Sequence, residues 1–165
     1  MLCLVCQYDN LEGEDSCLNC GADLSSSDIP EEATAFHGRL LGKRLFALAV
    51  QEPTFIAPDV PVTEALRRMR EEEVDCLLVR SGDRLVGIFT ERDAVLKLAG
   101  RQIDVYDVRD VMTRDPVILR HDDTLAVAIN KMAVGGFRHI PIVDGEIRGV
   151  VGARDVFRHV LEVLS

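Results

Sequence analysis

Four cysteines near the start of the chain fall into two pairs, Cys3-Leu-Val-Cys6 and Cys17-Leu-Asn-Cys20, separated by ten residues. Each pair can offer two thiolates to one tetrahedral metal ion while its backbone N–H groups turn toward the sulfurs. Gly21 gives the chain room to turn away after the second pair. Two such pairs supply the four ligands of a closed structural site with zinc-ribbon spacing, and zinc suits them better than iron. Disulfides would need an oxidising compartment that nothing else in the chain suggests. A redox-active pair would be expected on a thioredoxin-like frame, which this segment lacks. Cys3, Cys6, Cys17 and Cys20 are therefore expected to hold structural Zn2+, and with so few apolar residues around them the ribbon should need its metal to fold.

A second kind of chemistry is offered by Gly87-Ile-Phe-Thr-Glu-Arg-Asp93, which returns 62 positions later as Gly149-Val-Val-Gly-Ala-Arg-Asp155. Each copy runs from a glycine through a strand end into an Arg-Asp pair that opens a helical pattern. Thr90 and Asp93 have the spacing of a capping box, a common way to finish a helix start. The same geometry suits a nucleotide. A helix N-terminus welcomes phosphate, a threonine hydroxyl adds a hydrogen bond, Arg92 can pair with the phosphate, and an aspartate can accept both hydroxyls of a ribose. On the residues alone the helix cap is the better reading.

The elements that must carry these turns are duplicated too. Val62, Ala65, Leu66 and Met69 ahead of the first turn, and Leu125, Ala128, Ile129 and Met132 ahead of the second, share the i, i+3, i+4, i+7 spacing of a one-faced helix. Pro61 fits the first helical position of one and Asp123 the cap of the other. Strands are expected over 76–79, 84–89, 139–143 and 146–151, with hairpin turns at Ser81-Gly-Asp83 and Asp144-Gly145. Closing helices are expected over 91–99 and 153–164, so that each unit is β-α-β-β-α and the fold class is α/β (α+β). The expected organisation is a ribbon over 1–24, a Ser-, Pro- and Glu-marked linker over 25–38, and repeats over 39–103 and 104–165. Residues 39–50 read as a lead-in equivalent to 108–113.

This doubled pattern resembles a tandem pair of cystathionine-β-synthase (CBS) domains, the Bateman module. The stretches that carry the resemblance are 53–69, Gly87 to Asp93, Asp110 to Pro116, His139 to Asp144 and Gly149 to Asp155. It implies a regulatory sensor of an adenosine ligand (AMP, ADP, ATP or S-adenosylmethionine) with no catalysis of its own, and a homodimer acting on an unidentified protein. By position it implies Thr90, Arg92 and Asp93 at one site and Arg154 and Asp155 at the other. Adenine would be flanked by Cys76, Leu77 and Leu78 or by Arg138, His139, Ile140 and Pro141. Gly152 stands where Thr90 stands and Leu78 where Pro141 stands, so the sites are unequal. The Asp93 site ranks first for phosphate contact, and the Asp155 site is expected to be weaker, empty, or tuned to a ligand such as S-adenosylmethionine that needs no phosphate.

Charge narrows the alternatives. The net charge of −9 is concentrated at the front, where residues 1–32 hold eight acids and no Lys or Arg. Four thiolates on Zn2+ add further negative charge, so phosphate repulsion argues against a nucleic-acid-binding ribbon and for one that docks a protein or stabilises a dimer. No apolar run is long enough to span a bilayer, and no leader pattern precedes Cys3. A cytoplasmic protein away from membranes is expected. Cys76 reads as a small strand hydrophobe and His139 as a packed, hydrogen-bonded strand residue; His37, His121 and His159 lack a nucleophile partner. The competing function is an interaction protein whose ligand sites are degenerate.

Overall fold

The computed structural model describes residues 3, 6, 8–11, 15–22, 24, 43–45 and 50–164. The expected linker and most of the first lead-in lie outside the described residues. The chain divides into two compact units, one of residues 52–117 and one of residues 118–165 together with 1–51.

The first unit runs β1 (Phe55–Ile56), α1 (Val62–Glu71), β2 (Cys76–Ser81), β3 (Arg84–Thr90), α2 (Glu91–Leu98), a 3-10 turn (Ile103–Val105), α3 (Val108–Val111) and β4 (Thr113–Arg114). Its sheet has the order β1-β2-β3-β4, with β1 parallel to β2 and the other neighbours antiparallel. Helix α1 buries Val62, Ala65 and Met69, as its spacing requires, and on its other face Arg67 pairs with Glu64 and Glu71. Alternation along β2 and β3 sends Leu77, Val79 and Phe89 into a core shared with Ile56, Ala65 and Val108.

The second unit contains α4 (Leu125–Gly135), β5 (His139–Asp144), β6 (Glu146–Gly152) and α5 (Ala153–Leu164). Strands β5 and β6 pair antiparallel with the register of β2 and β3, so that His139 faces Gly152 as Cys76 faces Thr90. Leu45, Leu119, Leu125, Ile140, Ile142 and Val151 belong to its core. The helix starts differ by one residue from the sequence expectation. Pro61 takes the cap position with an extended ψ of 141° and leaves Val62 to begin α1. In the second unit Thr124, not Asp123, caps α4 by accepting from the Val127 N–H, while Asp123 closes a turn with the Arg120 N–H. A threonine hydroxyl reaches the third helical N–H as well as a carboxylate does, and the local turn claims the aspartate.

The repeat pattern restarts near 103/104, whereas the compact units divide at 51/52 and 117/118, because each lead-in pairs with the repeat it does not introduce. Thr113 and Arg114 of β4 pair with Ile88 and Gly87 of β3. At the equivalent place Gln51 bridges Val150, through N–H···O bonds of 3.2 and 3.1 Å. This explains why both turns begin with glycine. A Cβ on Gly87 would lie 2.5 Å from Met112 Sδ and 3.0 Å from the Thr113 carbonyl; one on Gly149 would lie 3.0 Å from the Gln51 carbonyl. The units differ where Pro141 replaces Leu78. The Leu78 N–H donates to the Thr54 carbonyl at 2.8 Å. Proline has no such donor, and the strand beside β5 shrinks to a single bridge between Leu119 and Ile142.

Candidate metal centre and ligand sites

The four expected metal ligands meet. The sulfurs of Cys3, Cys6, Cys17 and Cys20 lie within 4.8 Å of one another and all four residues are buried. Cys3 and Cys20 are 3.6 Å apart at sulfur, and Cys6 and Cys17 are 3.5 Å apart. Sulfurs bound at ~2.3 Å around a tetrahedral ion would be about 3.8 Å apart, so the donor set has both the type and the spacing for a metal ion. Burial pushes the Cys6 and Cys20 thiols up, and side-chain amides oppose it at Cys6 and Cys17. Asn10 Nδ2 donates to Cys17 Sγ at 3.5 Å, Asn19 Nδ2 donates to Cys6 Sγ at 3.6 Å, and Asn10 Oδ1 is fixed by the Leu18 N–H at 2.9 Å. Burial pushes the Cys17 thiol up, but the N–H groups of Cys20 and Asn19 and the Asn10 amide outweigh it and bring it down to about 6. Gly21, at φ +70°, ends the second knuckle in the left-handed region, and a Cβ there would strike the Asn130 side chain of α4. Asn19 adjoins Cys20 in sequence, whereas Asn10 lies between the two cysteine pairs with no signature of its own.

At the first turn the capping box forms. Thr90 Oγ1 accepts from the Asp93 N–H at 3.2 Å, and Asp93 Oδ2 accepts from the Thr90 N–H at 3.0 Å and from Thr90 Oγ1 at 2.8 Å. The other oxygen, Oδ1, accepts from Thr113 Oγ1 at 3.1 Å and pairs with Lys97 Nζ at 2.7 Å. Both oxygens of Asp93 are thus engaged. Arg92 projects from the first turn of α2 as an exposed side chain. The sequence reading did not include Lys97, although its i+4 spacing from Asp93 is a legible signal, or Thr113, which reaches the site only through strand pairing.

The second turn is built otherwise. Asp155 Oδ2 accepts from the Gly152 N–H at 2.9 Å and from Gln51 Nε2 at 3.0 Å. Its Oδ1 makes a looser ion pair with Arg158, at 3.8 Å. The Asp155 side chain is 5% exposed and that of Arg158 is 59% exposed, so the pair sits at the rim of a buried carboxylate. Arg154 is exposed and Gly152 is buried.

Strand alternation separates the expected adenine-side residues into two sets. Leu77 and Ile140 face the cores of their own units. Cys76 and Leu78, like Pro141, are buried on the opposite faces, with His139 half-buried and Arg138 exposed. Burial pushes the Cys76 thiol up to about 12, so it packs as an uncharged group at neutral pH. A hollow lined by Thr63, Leu66, Arg67, Arg70 and Ile103 runs along α1, and neither Asp93 nor Asp155 is among its lining residues. Its Arg67 is already claimed by Glu64 and Glu71, and its lining residues include no carboxylate for a ribose diol.

Comparison with known proteins agrees with this architecture. The family model for the CBS domain matches twice, over residues 47–100 and 108–162. A 17.7 kDa protein encoded in the bps2 3′ region of Acidianus ambivalens is 34% identical over 126 residues, spanning 74% of this chain and 76% of that one. The CBS domain-containing protein CBSCBSPB5 of Arabidopsis thaliana is 40% identical over 88 residues, but these make up 51% of this chain and 16% of the longer plant protein. The crystal structure of CBSX2 in complex with AMP superposes with a TM-score of 0.62 at 25% identity, covering 75% of this chain and all of that one.

Proposed function

The chain belongs to the CBS-domain family as a tandem pair, and from that premise we propose that it is a regulatory module that senses an adenosine ligand and carries out no chemistry itself. The observation that carries this reading is the doubled strand–turn–helix, which twice places a buried aspartate at the third helical residue, Asp93 and Asp155. The AMP bound by CBSX2 supports the ligand class. AMP, ADP, ATP and S-adenosylmethionine all carry the adenosine such a site would take.

The two carboxylates differ in what they have left to offer a ribose. Thr90 spends its hydroxyl on Asp93, and Asp93 Oδ1 already has two partners. Asp155 keeps Oδ1 in a loose pair with an exposed arginine, so it is the better acceptor for ribose, with His139 and Pro141 toward adenine. At the first site a phosphate would recruit Arg92 and Lys97, and Lys97 would have to leave Asp93. That internal saturation also favours a second reading for the first repeat alone, in which its site is degenerate and the repeat serves assembly.

In this proposal Cys3, Cys6, Cys17 and Cys20 hold Zn2+ as a closed structural centre, and the acidic ribbon docks a protein or strengthens a homodimer in the cytoplasm rather than binding nucleic acid. Thermal shift and calorimetry with the four ligands test the sensing role. A ligand at 100 times its Kd should add about 2.7 kcal/mol, and Asp155→Ala should abolish the gain. Flat melting curves with every ligand would sink it.

A further inference from the structure

We infer that Gln51 is the positioning residue of the second site: it holds Asp155 by one oxygen so that the other is presented to a ribose diol, replacing the hydroxyl that Gly152 lacks. This rests on the sensing function proposed above, and on contacts that the repeat pattern does not contain.

In the first turn, the second donor to the capping oxygen of Asp93 is Thr90 Oγ1, at 2.8 Å. In the second turn that donor is Gln51 Nε2, at 3.0 Å from Asp155 Oδ2 and 104 residues away along the chain. A Cβ on Gly152 would lie 3.0 Å from Asp155 Oδ2 and 3.3 Å from Gln51 Nε2, so the carboxamide occupies the space that a side chain at 152 would need. The backbone of Gln51 is held independently by its two bonds to Val150. Its positional counterpart is Thr113, which bonds Asp93 through Oδ1 at 3.1 Å. Gln51 therefore stands in the place of Thr113 and makes the bond of Thr90. The outcome differs between sites. Asp93 has both oxygens fixed internally, whereas Asp155 has Oδ2 fixed and Oδ1 turned to the rim. A carboxylate held by one oxygen is oriented without being satisfied, as an acceptor for two adjacent hydroxyls requires.

The test reads preference for the diol. AMP and S-adenosylmethionine are each titrated beside their 2′-deoxy analogues into the wild-type full chain and into Gln51→Met, Gln51→Ala, Asp155→Ala, Thr113→Val and Gln51→Ala/Gly152→Thr variants. Gln51→Met keeps the strand and the side-chain bulk while removing the donor. The wild type should prefer the ribose form by about tenfold, one hydrogen bond to a charged acceptor. Gln51→Met and Gln51→Ala should erase the preference, the double variant should restore it, and Thr113→Val should leave it intact. A preference unchanged in both Gln51 variants, or ligand binding that survives Asp155→Ala, would overturn the role of Gln51 and leave sensing itself standing. A wild type that binds none of AMP, ADP, ATP and S-adenosylmethionine would remove the sensing function and this inference together.

Discussion

The two strand-to-helix turns are copies in sequence and opposites in how they treat their aspartates. At Asp93 the chain supplies donors from Thr90, Thr113 and Lys97 and consumes the whole carboxylate. At Asp155 it supplies Gly152 and Gln51 to one oxygen and leaves the other in a 3.8 Å ion pair. The same backbone geometry can therefore make a helix cap or a poised acceptor, depending on which side chains arrive from the lead-in strands. A motif shared by two repeats shows where a site can be, and its neighbours decide whether it is available.

The largest expected effect separates the units at the four-cysteine cluster, where the proposed function places Zn2+. The four cysteines belong to the same core cluster as Leu45, Leu119 and Leu125, and Gly21 abuts Asn130. Structural zinc in small domains contributes roughly 10–16 kcal/mol at neutral pH. Stripping metal with a chelator should unfold the ribbon and raise hydrogen exchange in β5 and β6 while leaving β2 and β3 protected. Equal loss in both hairpins would break the contrast.

The next effect compares the carboxylates directly. Hydrogen bonds to a charged group contribute about 1.5–3 kcal/mol, and the partly exposed Lys97 pair adds little. Urea unfolding should show Asp93→Ala, which loses three hydrogen bonds, costing about 1.5–3 kcal/mol more than Asp155→Ala, which loses two. A larger cost at Asp155 would mean that the second carboxylate is the structural one.

The smallest effect lies at alkaline pH. Cys76 has no titrating counterpart in that range, since His139 occupies the matching strand position. Burial holds the Cys76 thiol near 12 in the folded chain, against about 8.5 for a free cysteine. Between those values the folded state keeps a proton that the unfolded state has lost. The contribution of Cys76 is thus complete below about pH 8.5 and declines as pH rises toward 12. Cys76→Ala should flatten that decline in the first unit, measured by denaturation at pH 8 and pH 10.5, and an unchanged slope would show that the thiol is not the titrating group.

Much of this was legible locally. Period-2 and period-3.6 patterns located the hairpins and helices, Gly136 at φ +67° ends α4 as a C-terminal glycine should, and the cysteine spacing located the four sulfurs that meet. The features that remained hidden depend on partners distant in sequence. Gln51 and Thr113 occupy matching positions, but their side chains differ, and neither belongs to the turn it serves. Strand register across a lead-in is set by tertiary packing, so no window of sequence reveals it. Gly152 looked like a loss in the sequence, whereas in the fold it makes room for Gln51.

The attachment of β4 to β3 has a practical side for anyone dissecting the gene. A first-half fragment that stopped at residue 103 would lose Thr113 and Arg114 and bare the N–H and C=O row of β3 beside Gly87 and Ile88. Such an open margin recruits foreign strands, and the product would clump for reasons unrelated to ligand. Carrying the fragment through residue 117 keeps that margin sealed.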